Sequence, residues 1–176
     1  VVAHLAAIPG PEPRGFNEFF AANIMNTFRV AEACVHTGVK RLVYASSTSY
    51  YGYEFDIPRP MPIGDPVTEK NVVQLLLPGP KPANNKFGVA YGCSKIGGET
   101  VVSYYGLVGL LDVLILRFAP VDFVWDIGIT RAHVAQAVKA AIEYEKRPGL
   151  AVVNVSEKGP IDTLATEREL GLQRID

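Results

Sequence analysis

Arg41-Leu42-Val43-Tyr44-Ala45-Ser46-Ser47-Thr48-Ser49 passes from a short, mostly apolar run into four consecutive hydroxyl side chains. An apolar run without polar alternation is the pattern of a strand buried on both faces, which calls for a parallel sheet with helices above and below it. The hydroxyl cluster then falls where that strand ends. Ligands of open parallel sheets bind at the carboxyl ends of the strands, so Ser46 to Ser49 is the first place to look for chemistry.

Working outward, Val1 to Ala6 reads as a second buried strand, closed by the turn residues Pro9, Gly10, Pro11 and Pro13. Phe20, Ile24, Phe28, Ala31 and Val35 recur at steps of three or four and predict a helix that Gly38 stops. Beyond the serine cluster, Pro58, Pro60, Pro62, Pro66, Pro78, Pro80 and Pro82 hold more than half of the 13 prolines. A loop over about 58–86 is expected there, serving either as a lid or binding loop or as a disordered insertion.

Tyr91 to Tyr105 follows as a helix weakened by Gly97 and Gly98, then Val113 to Phe118 as a strand. A helix from about Arg131 to Glu145 should turn Val134, Val138, Ala141 and Ile142 inward, and Gly149 ends it. Leu150 to Val155 is the last strand, and Asp162 is placed to cap a short helix before Gly171. Strands alternating with helices give an α/β fold with a parallel sheet covered on both faces, in one domain over 1–176.

The 176 residues carry 17 Lys+Arg against 18 Asp+Glu, a net charge of -1, so no electrostatic footprint for nucleic acid is present. Leu110 to Leu116, broken by Asp112, falls far short of the roughly 20 apolar residues of a membrane helix. Cys34 and Cys93 show no CxxC spacing, which suits reduced thiols and a cytoplasmic location. The Asn154-Val155-Ser156 sequon sits in a strand pattern where no sugar fits. No GxSxG elbow, phosphate-binding Walker loop or metal-ligand cluster is found.

Tyr91 and Lys95 lie one helical turn apart on a common face. An ammonium beside a phenol stabilises the phenolate, so such a tyrosine can exchange a proton near neutral pH. Alone, the spacing is too common to carry an assignment. Packing is the plain reading for Cys93, Trp125, Tyr50, Tyr51 and Tyr53, and a surface or capping role for His133.

The ordered set is more specific: His4-Leu5-Ala6-Ala7, Asn23-Ile24-Met25-Asn26-Thr27, Val43 to Gly52, Tyr91-Gly92-Cys93-Ser94-Lys95 with Gly98-Glu99, and Leu116-Arg117-Phe118. It resembles the extended short-chain dehydrogenase/reductase family, the NAD-dependent epimerases and dehydratases, over residues 1 to about 58 and about 87 to 155. The resemblance implies a Rossmann-like sheet, NAD or NADP as cofactor, and hydride transfer on a sugar or related hydroxyl or carbonyl compound. It implies Tyr91 as general acid/base, Ser47 as the hydrogen-bond donor to the reacting oxygen, and Lys95 as the partner of the ribose hydroxyls and of the tyrosine. Leu5, Ala6, Ala7, Asn23, Phe118 and Pro120 are implied to line the cofactor.

The family's glycine-rich phosphate turn would precede residue 1, so the sheet is expected to be incomplete at its N-terminal side and NAD binding by this chain alone to be poor. Pro120 stands where nucleotide-sugar enzymes commonly carry Asn, which makes nucleotide sugars a less natural substrate. The competing reading is a catalytically inactive, truncated homologue kept as an interaction module. A homodimer through the helices bearing Asn23 and Tyr91 is implied, with Phe19, Phe28, Val101 and Tyr105 as contact residues.

Overall fold

A computed structural model describes residues 1–10, 14–51, 86–122, 128–157 and 163–171. The expected proline-rich loop, Tyr53, Trp125 and Asp162 lie outside them. The elements run β1 (Val2–His4), α1 (Phe16–Phe20), a π turn (Ala21–Met25), α2 (Asn26–His36), β2 (Arg41–Ser47), a 3-10 turn (Thr48–Tyr51) and α3 (Lys86–Leu107). They continue with β3 (Asp112–Phe118), α4 (Arg131–Glu143), β4 (Leu150–Val155) and α5 (Leu164–Leu170).

All four strands are parallel, in the order β1-β2-β3-β4. Alternation along the strands builds two cores. Leu42, Tyr44, Val113 and Ile115 face α2 and α3, packing on Ala31, Cys34, Val102 and Tyr105. Val43, Leu114, Leu116, Val153 and Val155 face the other way, onto Ala137 and Ala141 of α4. The predicted α/β sheet covered on both faces is the one observed.

Several boundaries differ, each for a local reason. β1 stops at His4 rather than Ala6, because among the described residues it has a partner strand on one side alone and Leu5 is already exposed. The helix before Gly38 buries Phe19, Asn23, Thr27, Ala31 and Cys34, whereas Phe20 and Phe28 of the expected stripe are exposed. Two of the inward residues are polar, and a reading of apolar spacing passes over them. In α4, Ile142 is 40% exposed instead of inward. That helix ends at Glu143, after which the carbonyls of Tyr144 and Lys146 accept hydrogen bonds from the Arg41 guanidinium. Arg41 is in turn paired with Asp112 at 2.5 Å, at the strand ends away from the serine cluster. α5 takes Thr163 as its N-cap residue.

Candidate active site

The carboxyl end of β2 brings Ser47 to α3. Its neighbour across the ladder is Phe118, the last residue of β3. Burial pushes the Tyr91 phenol above its usual pKa, and Ser47 lies near enough to draw it part of the way back. Ser47 itself is oriented by Ser49, whose backbone N–H donates to Ser47 Oγ at 3.1 Å. Lys95 Nζ donates to the Ala45 carbonyl at 2.9 Å and lies 5.7 Å from the centre of the Tyr91 ring. Ser47, Tyr91 and Lys95, which the sequence sets 44 and more positions apart between strand and helix, therefore meet in one place.

Lys95 is 4% exposed, and burial pushes its pKa down to about 8 against the opposing pull of Glu99. Burial thus acts on the two groups in opposite senses, raising the pKa of the phenol and lowering that of the ammonium, since it disfavours the charged form of each.

Asn23 sits on the π turn, a geometry that pushes one extra residue into the helix and is frequent at functional sites. Its amide reads the chain leaving β1 by both backbone groups: Ile8 N–H donates to Oδ1 at 2.7 Å, and Nδ2 donates to the Ile8 carbonyl at 3.0 Å. Nδ2 also donates to Ser94 Oγ at 2.9 Å, and Ser94 Oγ donates to the Tyr91 carbonyl at 2.7 Å. Asn23 therefore couples the end of β1 to the turn of α3 that carries Tyr91. Gly10 lies against the Tyr91 ring so closely that a Cβ there would come within 2.6 Å of Tyr91 Cγ.

Leu5 and Ala6 are exposed just past β1, and Ala7 is half-buried. Phe118 is half-buried against the α4-side core, and Pro120, whose carbonyl accepts from Ile129 N–H, is half-buried two residues on.

Sequence reasoning passed over a second layer. His4 Nε2 is 3.0 Å from Thr27 Oγ1, which itself donates to the Asn23 carbonyl at 2.7 Å, so the proton of this pair belongs on Nε2. Burial, and then the nearby Lys95 charge, lower the His4 pKa. Glu99 and Arg117 form a buried two-point ion pair, and Ser46, Tyr50, Tyr51 and Asn154 gather around it. Strand alternation was the available signal, because Ser46 and Arg117 share the face of Tyr44 and Ile115, toward α3. His133 is buried rather than at the surface, with Nδ1 3.2 Å from Glu157 Oε1, and its backbone N–H donates to the side chain of Thr130, the N-cap residue of α4. Asn154 of the sequon is fully buried.

Among the described residues no His, Cys, Asp and Glu group could hold a metal ion, and no helix is long and apolar enough to cross a membrane.

Comparison with known proteins adds relatives to this geometry. The model of the NAD dependent epimerase/dehydratase family matches residues 1–121. An L-arabinose 1-dehydrogenase (NAD(P)(+)) of Haloferax volcanii is 33% identical over 119 residues, 66% of this chain and 43% of the relative. YtcB of Bacillus subtilis, described as an uncharacterised UDP-glucose epimerase, is 31% identical over 121 residues, 67% of this chain and 32% of the relative. The chain thus spans less than half the length of either curated relative. Among solved structures, MoeE5 in complex with UDP-glucuronic acid and NAD superposes with a TM-score of 0.76 at 22% identity, over 99% of this chain and 73% of that one. A UDP-galactose 4-epimerase gives 0.73 at 19% identity, over 98% and 71%. These two show the fold, a Rossmann-like parallel α/β sheet.

Proposed function

Since the chain belongs to the NAD-dependent epimerase/dehydratase family, we propose that its Ser47, Tyr91 and Lys95 form the reaction centre of an NAD(P)-dependent oxidoreductase or epimerase acting on a sugar or related hydroxyl compound. The observation that carries this reading is the placement of the Lys95 ammonium, which donates to the Ala45 carbonyl near the end of β2 and lies 5.7 Å from the centre of the Tyr91 ring, with Ser47 near enough to act on the same phenol.

The residues fit the nicotinamide-ribose end of such a cofactor. Lys95 spends one of its three protons on Ala45, leaving donors for ribose hydroxyls, and Leu5 and Ala6 offer exposed apolar surface at the end of β1. Ala7, Asn23, Phe118 and Pro120 complete the proposed lining, with Asn23 acting through Ile8. When bound, the nicotinamide takes up or returns a hydride.

Tyr91 handles the proton. In oxidation, the substrate hydroxyl proton passes to the phenolate oxygen as the carbon gives up its hydrogen with the bonding pair and the C=O bond forms. In reduction, the phenol returns that proton to the carbonyl oxygen. Ser47 donates to the same oxygen and holds it within reach of Tyr91, and Lys95 stabilises the phenolate between the two steps. The reading extends to a homodimer through the outward faces of α2 and α3. Phe19 and Tyr105 are buried within the chain and drop out of that interface; Met25, Phe28 and Tyr104 are exposed on it, with Val101 half-buried beside them.

Calorimetric titration with NAD and NADH, followed by NADH-absorbance assays on aldoses and nucleotide sugars, tests the proposal. Poor binding is expected of the 176-residue chain alone, and turnover that Tyr91→Phe lowers by about 100-fold or more once a glycine-rich front half is joined to it. Turnover indifferent to Tyr91→Phe overturns the mechanism. Absence of both binding heat and turnover in the joined protein favours a non-catalytic interaction module.

A further inference from the structure

We propose that Glu99 is a positioning residue for the Ser47, Tyr91 and Lys95 centre, a charged clamp that joins the helical turn after Lys95 to the ends of β2 and β3. The inference rests on the reading of that centre as the reaction site.

Glu99 is 4% exposed and both its carboxylate oxygens are engaged. Oε1 accepts from Ser46 Oγ at 2.5 Å and from Arg117 Nε at 2.9 Å, and Oε2 accepts from Arg117 Nη2 at 2.7 Å. Arg117 goes on to donate from Nη1 to the Tyr51 hydroxyl at 3.0 Å, which donates to Asn154 Oδ1 at 2.7 Å. The guanidinium carbon also lies 3.5 Å from the centre of the Tyr50 ring. One carboxylate thereby ties α3 to β2 and β3, and through Arg117 to the 3-10 turn and β4.

Stability alone is a poor reason for such a group. A buried ion pair recovers little more than its desolvation cost, and apolar side chains of similar volume hold elements together as well or better. What the two-point pair supplies is direction, because the planar guanidinium on β3 fixes the rotation of α3 about its own axis. The Ser46 hydroxyl extends the same constraint to the residue before Ser47. The clamp therefore sets the approach of the helix that bears Tyr91 to the strand end that bears the serine.

The clamp is also electrostatic. Among the described residues, the charged and titratable groups around Lys95 are Tyr91 and Glu99 on its own helix, Tyr44 on β2, whose ring centre is 5.5 Å from Nζ, His4 on β1, and Arg117 on β3 behind Glu99. Burial pulls the Lys95 pKa down, and Glu99 is the carboxylate that opposes it.

The test follows Lys95 by NMR in the 176-residue chain labelled at lysine Cε, assigned with Lys95→Met. It needs neither cofactor nor substrate, so failure here and failure of the proposed reaction are separate results. Glu99→Gln keeps the shape and removes the charge, and it is expected to lower the Lys95 midpoint by about one pH unit. Glu99→Asp, which restores the charge, should bring it back to within about 0.3 unit of the native chain. An unchanged midpoint in Glu99→Gln, or equal displacement in both variants, overturns the proposal. Should Glu99→Gln not fold, Ser46→Ala decides: the ion pair stays, and amide exchange over Ser46 to Ser49 should quicken about threefold or more. Exchange at the native rate there refutes the clamp.

Discussion

Lys95 is a side chain whose proposed chemical use comes at the expense of folding. Its folded pKa of about 8 lies below the ordinary 10.5. Below pH 8 both folded and unfolded chains bind the proton, and the full burial penalty opposes folding. Between 8 and 10.5 the unfolded chain still binds it and the folded one does not, so this group makes stability rise with pH across that window. Tyr91 works in the opposite sense, its raised pKa making stability fall above about pH 10. Urea denaturation at pH 7 and 9.5 should therefore show a rise attributable to Lys95. Lys95→Met is expected to be more stable than the native chain at pH 7, by about 1 kcal/mol or more, and to lose most of that rise. Asn23→Ala should lose about 2 kcal/mol in the same assay, since it strands the backbone groups of Ile8.

Gly97 and Gly98 looked like weak points in α3, and the packing explains why they are tolerated. A Cβ on Gly98 would fall 2.0 Å from the Tyr44 hydroxyl and 3.2 Å from the Asn23 carbonyl. The helix can thus lie directly on β2 and on the π turn, which is what carries Lys95 to the Ala45 carbonyl. Gly98→Ala is expected to cost about 2 kcal/mol or more in thermal or urea unfolding, and adding Tyr44→Phe should return part of it by removing the obstructing oxygen. Gly97→Ala should cost less, because the atom in its way, 2.5 Å off, is the flexible tip of Ile24. The glycines were readable as helix-weakening residues; their use as a close-approach surface was not, since the opposing side chains come from distant segments.

At the scale of the whole molecule, β1 and β4 flank the sheet of the described residues, and the outward faces of the π turn, α2 and α3 carry Met25, Phe28 and Tyr104 exposed. Light scattering at tens of micromolar is expected to report twice the 19.1 kDa chain mass, and Phe28→Glu to return it to one. A native chain that scatters as a monomer removes the proposed dimer. The residues first assigned to that surface included Phe19 and Tyr105, which fill the core instead. Apolar character says that a side chain seeks burial, without saying whether its own chain or another will cover it.

The choice of Ser47 and the roles of Ser47, Tyr91 and Lys95 came from the family resemblance, while local chemistry was enough to read the alternation of strands and helices, the parallel sheet, the Ser46 to Ser49 cluster at a strand end and the Tyr91–Lys95 pair. Period and residue type along the chain encode these directly, because a strand buried on both faces and a phenol one turn from an ammonium are short-range patterns. The buried polar network was beyond that reach. Ser46, Glu99, Arg117, Tyr51 and Asn154 come from four elements and a turn, and polar residues in a core carry no hydrophobic period. They acquire partners when the sheet register brings Ser46 level with Arg117 and lays α3 across both.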